Sequence, residues 1–275
     1  MVTSDAKALA QQAGELLEEV RARRPLVQNV TNFVSMDIAA NALLALGASP
    51  AMIHAPEETD QFTALADALV INVGTLSGPA AIGMERAATA AHMHGKPWLL
   101  DPVAAGLLTF RDETIRKLLR HCPSIIRGNA SEIMAVARIA GLTQDAAAPR
   151  GVDNRHEASE AEALAIKLAR HCFCAVVATG AVDVVTDGVS VVRLANGSPL
   201  APRVTALGCS MSSVMGAYAA VAQPMEAAIA ATILYGVAGD MAADHAQGPA
   251  SFRTAFLDTL YTIGASDLAA RIKVI

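Results

Sequence analysis

The run Ala68-Leu69-Val70-Ile71-Asn72-Val73 is apolar save for Asn72 and closes on Gly74. A strand with one wet face alternates apolar and polar residues, whereas a strand buried on both faces reads as one apolar run. The stretch is therefore predicted to be an inner strand of a parallel sheet. Working outward, a helical stretch from Glu57 precedes it and a helix from about Pro79 to His94 follows, stopped by Gly95. Trp98-Leu99-Leu100 is the next predicted strand, closing on Asp101-Pro102. Toward the N-terminus, Leu26–Val30 reads as a strand, followed by a helix from about Ser35 to Leu46 and a short strand at Ala51-Met52-Ile53. Leu9, Ala13, Leu16, Leu17 and Val20 repeat at helical spacing ahead of them.

The alternation continues downstream. Glu113 to His121 reads as a helix, Ser124–Arg127 as a strand ending in Gly128-Asn129, and a helix begins near Ser131. The polar stretch Asp145 to Glu157 reads as a surface loop before a helix from Ala158 to Arg170. Ala175–Thr179 is another parallel strand. Asp187-Gly188 lies between the β-rich runs 183–186 and 189–194, a hairpin signal. From Gly208 to the end the pattern is helical. Strands alternating with helices over short connections predict an open α/β sheet with helices on both faces, in one domain spanning 1–275. Ligands of such sheets bind beyond the C-terminal strand ends. Asn72, Gly74, Asp101, Arg127, Asn129 and Thr179 all fall there.

Composition limits the function classes. The chain has 275 residues, 53% of them apolar and only 4% aromatic, so the core is expected to be built from Ala, Val, Leu, Ile and Met. Formal net charge is −5, with no basic stripe, which argues against a nucleic-acid partner. No apolar segment follows the polar start Met1–Lys7, so no signal peptide is expected. The most apolar stretch, Ala227 to Gly239, is shorter than the roughly 20 residues of a membrane span and reads as a buried helix. The four cysteines, Cys122, Cys172, Cys174 and Cys209, are expected as reduced thiols in a cytoplasm. Cys172 and Cys174 are placed on one face at the start of a strand, as small buried hydrophobes rather than metal ligands.

The chemistry concentrates at Thr205-Ala206-Leu207-Gly208-Cys209-Ser210, which opens a small-residue helix running from Met211 to Ala222. A helix start offers unpaired N–H groups and a positive dipole end, a natural seat for phosphate. A cysteine in that field is expected to have its pKa lowered. An anion cradle with a potential base suggests phosphoryl transfer to a small alcohol. Phosphoryl transfer also needs a divalent metal and a cation for the developing charge. Asp101, ending a strand ahead of a proline, and Glu132, in a first helical turn, are the candidate acids for Mg²⁺. The alternative for Glu132 is an acid that complements the helix dipole. Arg127 is a candidate phosphate clamp, and Thr179-Gly180 a candidate nucleotide wall. Neither of the commonest nucleotide-binding glycine motifs occurs.

Several segments together resemble the hydroxyethylthiazole kinase family. They are Pro25–Asn32, Leu43–Met52, Asn72–Leu76, Leu100–Val103, Ile126–Ile133, Ala178–Gly180 and Gly248–Phe252, and the similarity runs from about Pro25 to about Tyr261. The resemblance implies a three-layer ribokinase-like fold and a homotrimer with active sites at subunit interfaces. It implies ATP- and Mg²⁺-dependent phosphorylation of 4-methyl-5-(2-hydroxyethyl)thiazole for thiamine salvage. It also implies substrate contacts at Met52, Asn32 and Ala206, nucleotide contacts at Arg127 and Thr179, metal-side acids at Asp101 and Glu132, and a catalytic Cys209. Family members usually carry Gly-Thr-Gly-Cys or Gly-Ala-Gly-Cys at the cradle, where this chain has Ala206-Leu207-Gly208-Cys209. Two Cβ-bearing residues in that loop predict a slower cradle. Two other readings stay open: a thiazole- or nucleotide-binding homologue without full turnover, and a nicotinamide-hydrate dehydratase using ATP or ADP, which wants an aspartate where Cys209 stands.

Overall fold

The computed structural model describes residues 5–143 and 154–275. Its strands are β1 (Leu26–Val30), β2 (Ser49–Ala51), β3 (Ala68–Asn72), β4 (Trp98–Asp101), β5 (Ile125–Asn129), β6 (Ala175–Thr179), β7 (Asp183–Thr186) and β8 (Val191–Leu194). They form one eight-stranded sheet in the order β2-β1-β3-β4-β5-β6-β7-β8. Every pair from β2 to β6 is parallel, and β7 and β8 add an antiparallel hairpin at the far edge. The register sets Asn72 opposite Asp101 and Asn129 opposite Thr179, so polar side chains meet at the C-terminal ends of adjacent strands.

The helices in chain order are α1 (Ala6–Arg23), α2 (Met36–Leu46), α3 (Thr59–Leu65), α4 (Gly78–Met93), α5 (Thr109–Leu119) and α6 (Ala130–Ile139). After them come α7 (Asn154–Cys172), α8 (Leu207–Ala219), α9 (Pro224–His245), α10 (Pro249–Thr262) and α11 (Ala265–Arg271). Side chains alternate across each strand. Val27, Val70, Leu99 and Ile125 pack with α1, α2 and α8 to α11 on one face. Leu69, Ile71, Leu100 and Ile126 pack with α4 to α7 on the other. Both faces are therefore covered, which is why β3 carries no alternation. Helix α8 lies hard against the sheet: a Cβ on Gly216 would come within 2.5 Å of Val70 Cγ2. That close approach fixes where the first turn of α8 stands relative to the ends of β1, β3 and β4.

The structure corrects several expectations. β2 ends at Ala51, so Met52 and Ile53 lie beyond it. Asn154 to Glu157 belong to α7 rather than to the loop, and the rest of the expected loop, from Asp145 to Asp153, lies outside the described residues. Cys172 closes α7 and Cys174 precedes β6, separated by Phe173 at a left-handed φ of 53°, so the two do not share a strand face. Aromatics are few but not marginal: Trp98, Tyr218, Phe252 and Phe256 are among the largest fully buried side chains. The apolar stretch Ala227 to Gly239 is the middle of a longer helix, α9. That helix spans 22 residues, enough to cross a membrane by length and composition, but 78% of its apolar window is buried inside the molecule.

Candidate active site

Helix α8 opens at Leu207, ahead of Met211, and ends at Ala219, short of Ala222. Gly208 and Cys209 thus sit in its first turn, where backbone N–H groups have no partner within the helix. Ala206 precedes it in the left-handed region, at φ 59° and ψ 11°. Leu207 does not crowd this turn with its side chain, which is 4% exposed and packs in the core. Leu207 is also among the residues lining the cavity described below, so of the pair Ala206-Leu207 it is Ala206 whose backbone carries the conformational strain.

Arg127 ties this turn to the sheet. Its Nη1 donates to the Gly208 carbonyl at 3.0 Å and its Nη2 to Thr179 Oγ1 at 3.1 Å. A Cβ on Gly208 would lie 3.2 Å from Arg127 Nη1, so glycine leaves room for the guanidinium. Arg127 is buried, with its Nε lacking a partner, which is not the setting of a surface ion pair. Asp183 stands nearby, its Oδ1 accepting from the Gly180 N–H at 2.9 Å. Burial pushes the Asp183 carboxyl up to about 6, against the pull of Arg127. Arg127, Thr179, Asp183, Ala206, Gly208 and Tyr235 are among the residues lining a cavity of about 660 Å³.

A chain of polar side chains runs along the other side of the cradle. Asn32 Nδ2 donates to Asn72 Oδ1 at 2.8 Å and lies 3.5 Å from Cys209 Sγ. Asn72 Nδ2 donates to Asp101 Oδ2 at 2.7 Å, and Ser212 Oγ donates to the same oxygen at 2.8 Å. Asp101 Oδ1 is buried and has no hydrogen-bond partner. Burial pushes the Asp101 carboxyl up to about 6; Arg127 opposes this and the Glu132 charge adds to it. The Cys209 thiol is also pushed up, by burial and then by the Asp101 charge. This overturns the lowered pKa expected of a helix start: desolvation and a neighbouring carboxylate outweigh the helix dipole.

Glu132 is spent on the backbone. Its Oε1 accepts from Ala104 N–H at 2.9 Å, and its Oε2 accepts from Asn129 N–H at 2.8 Å. Asn129 returns the contact to the Glu132 N–H, which completes a capping box at the start of α6. Among the described residues no group of three or more His, Cys, Asp or Glu side chains gathers as a metal site. That is compatible with Mg²⁺, which takes one or two carboxylates and keeps several waters. The free Oδ1 of Asp101, with the charge of Glu132 close by, is the donor arrangement a divalent cation would relieve.

The structure thus brings Arg127, Thr179 and Ala206 to one cavity, and Asn32, Asp101 and Cys209 to one hydrogen-bonded chain. Met52 lies apart, half-buried just past β2 near the sheet edge, and does not line that cavity. The model of the hydroxyethylthiazole kinase family matches residues 17–266. The chain belongs to this family. A hydroxyethylthiazole kinase of Cereibacter sphaeroides is 49% identical over 262 residues, covering 94% of this chain and 98% of that protein. Another, from Rhizobium rhizogenes, is 48% identical over 264 residues, covering 95% and 96%. The solved structure of a hydroxyethylthiazole kinase protein from Pyrococcus horikoshii OT3 superposes with a TM-score of 0.88 at 40% identity, covering 96% and 98% of the two chains. A Staphylococcus aureus pyridoxal kinase in complex with AMP-PCP and pyridoxal matches with a TM-score of 0.57 at 15% identity, covering 78% and 88%, and speaks to the fold alone. The three-layer α/β fold is ribokinase-like, as the sequence resemblance implied.

Sequence reading gave no role to Ser212, Asp183 or Tyr235, and placed Asn72 at a strand end without a partner. Ser212 follows Cys209 by three positions. Helical spacing puts such residues on one face, a signal that was available. Asp183 opens a hairpin strand, where an acid has no periodic signature.

Proposed function

We propose that this chain transfers the γ-phosphoryl group of ATP to the hydroxyl of 4-methyl-5-(2-hydroxyethyl)thiazole, giving the thiazole phosphate used in thiamine salvage. Membership of the hydroxyethylthiazole kinase family supports the reaction and substrate. The observation that carries the placement is the first turn of α8, tethered by Arg127 and standing between the cavity and the Asn32–Asn72–Asp101 chain. The triphosphate lies in the cavity against Arg127 and Thr179, and the unpaired N–H groups after Ala206 receive the transferred group. Asp101 would hold Mg²⁺, with Glu132 behind it acting through water; when bound, that ion would neutralise phosphate charge. Asn72 and Ser212 hold Asp101 Oδ2 and so leave Oδ1 as the oxygen free for the ion.

The thiazole alcohol approaches from the side of Asn32, with its hydroxyl at Cys209 Sγ, while Ala206, expected as a substrate contact, lines the cavity on the other side of the turn with Arg127 and Thr179. The family resemblance is what supports a homotrimer in which a neighbouring copy brings its Met52 to this site; in the single chain Met52 lies away from the cavity. Sedimentation at micromolar concentration is expected to give a trimer; a fully active monomer would contradict this arrangement. The four cysteines are free, in keeping with a reducing cytoplasm.

The deciding experiment is turnover of the purified protein with ATP, Mg²⁺ and the thiazole alcohol, read as thiazole phosphate formed. Nucleotide binding without product would instead favour a binding homologue, a reading to which the left-handed Ala206 gives some weight. Cys209 provides a second check. Its thiol is pushed up, so the proton-accepting thiolate grows with alkalinity. The turnover number is expected to keep climbing with pH past neutrality, and Cys209→Ser is expected to flatten that climb and lower the plateau. An identical pH profile in the two proteins would remove Cys209 from proton acceptance and leave it as packing.

A further inference from the structure

Helix α9 is apolar through its middle, yet it carries Tyr235 beside the cradle. Tyr235 Oη donates to the Leu207 carbonyl at 2.6 Å and lies 2.6 Å from Ser210 Oγ. Ser210 Oγ is itself 2.9 Å from the same carbonyl. Ser210 is fully buried and Tyr235 is 8% exposed. The ring is set by Phe256, with centroids 4.7 Å apart. A carbonyl in the first turn of a helix already receives the N–H four residues on, so two further hydroxyls on it are not needed to satisfy it.

We propose that Tyr235, with Ser210 as its partner, is a positioning residue that latches the start of α8 and so aims the anion cradle. The inference rests on the cradle reading given above. The peptide unit is planar and trans, so its N–H points opposite its C=O. Holding the Leu207 carbonyl toward α9 therefore sets the direction of the Gly208 N–H. Arg127 does the same one peptide further on: its hydrogen bond to the Gly208 carbonyl sets the direction of the Cys209 N–H. Two successive cradle N–H groups are thus aimed by tethers on their carbonyl partners, one from α9 and one from β5. The latch matters here because the residue before the helix is Ala206, left-handed without being glycine. A backbone with that strain has a reason to leave the geometry, and the Tyr235 hydroxyl opposes its leaving. Burial keeps the Tyr235 hydroxyl protonated, as a donor must be.

The test compares Tyr235→Phe and Ser210→Ala with Tyr218→Phe. Tyr218 also lies in α8 and is fully buried, but its hydroxyl has no partner. The variants are read by steady-state kinetics with ATP and the thiazole alcohol, and by amide hydrogen exchange over 207–211. Tyr235→Phe is expected to lower kcat about tenfold with both KM values within about twofold, because misaimed donors lose transition-state rather than ground-state contacts. Within 207–211 the amides with a helix hydrogen bond to lose are those of Ser210, bonded to the Ala206 carbonyl, and Met211, four residues after Leu207; their exchange is expected to quicken by about tenfold, in the range of a lost hydrogen bond. Ser210→Ala is expected to act in the same direction with a smaller loss, and the double variant to fall short of the product of the singles, since the hydroxyls touch. Tyr218→Phe should change neither readout. Unchanged kcat and unchanged exchange in Tyr235→Phe overturn the latch, as does a loss confined to thermal stability and KM. If the native protein turned over no thiazole alcohol, the proposed function would fall, while exchange over 207–211 would still decide the latch. If Tyr235→Phe failed to fold, Ser210→Ala decides: native kcat and native exchange in it overturn the latch.

Discussion

Asp101→Asn is expected to make the protein more stable at neutral pH while lowering turnover by about 10²–10³-fold, the cost of losing one charge-stabilising group at a transferred phosphoryl. The two effects share one cause. Asp101 is sealed from solvent, and burial pushes its carboxyl from 3.8 to about 6. Between those values the folded protein keeps a proton that the unfolded chain has released. The folded state binds more protons there, so stability falls as pH rises from about 4 to about 6. Above that window the native carboxylate is charged and buried, at a cost on the order of 2–3 kcal/mol at 1.36 kcal/mol per unit.

Asparagine removes the charge and keeps an oxygen for the Asn72 and Ser212 donors. It places an unpaired amide N–H where Oδ1 stood, which costs about 1 kcal/mol or more in return. The net gain is expected to be about 1–2 kcal/mol, visible as a rise in Tm near pH 7 of roughly 2–4 °C per kcal/mol. The gain should vanish below pH 4, where the native side chain is neutral in both states. Scanning calorimetry at several pH values, alongside a Mg²⁺ titration of activity, checks both halves. Full activity in Asp101→Asn would remove Asp101 from the metal, and a loss of stability at pH 7 would mean the buried charge is better compensated than its neighbours indicate.

How much of this was legible in the chain differs by the kind of contact. β3, β4 and β6 were readable because burial on both faces leaves an unbroken apolar run, a local and periodic signal. The hairpin was readable because Asp187-Gly188 is turn chemistry confined to adjacent residues. Of the site, Asp101 was readable as a polar residue closing a strand, since the C-terminal edge of a parallel sheet is where ligands go; Arg127 was readable as a polar residue near such an edge, although β5 runs two residues past it to Asn129. What escaped was pairing across the fold. Asn72 meets Asp101 only because two strands adopt one register, and Tyr235 meets Leu207 only because α9 crosses the start of α8. No spacing in the sequence encodes such encounters. The thiol of Cys209 was misjudged for a related reason: its helix-start field is local and visible, whereas its desolvation and the approach of Asp101 depend on the packed structure.

The same separation of local from packed terms governs the cradle, where Ala206→Gly and Leu207→Ala are expected to act in opposite directions. Ala206 holds φ 59° and ψ 11°, a conformation that glycine reaches without steric cost. Ala206→Gly is therefore expected to stabilise the fold by roughly 0.5–1 kcal/mol, less whatever the freer unfolded chain takes back. Its larger effect is expected on kcat, up a few-fold with KM little changed, because a backbone without that strain keeps the geometry that aims the Gly208 and Cys209 N–H groups at the transferred phosphoryl. Leu207 is a different matter. Its side chain is 4% exposed and belongs to the core beneath α8. Leu207→Ala should cost about 2–5 kcal/mol, as cavity-forming leucine truncations do. The first turn of α8 would then lose the packing that carries the carbonyl held by Tyr235. Matching the glycine-rich family pattern at both positions at once is thus expected to do worse than changing Ala206 alone. The comparison requires kcat, KM and Tm for the two single variants and the double. If Leu207→Ala kept its Tm and raised kcat as Ala206→Gly does, the leucine would be acting in the cradle rather than in the core, and the division drawn between the two residues would be wrong.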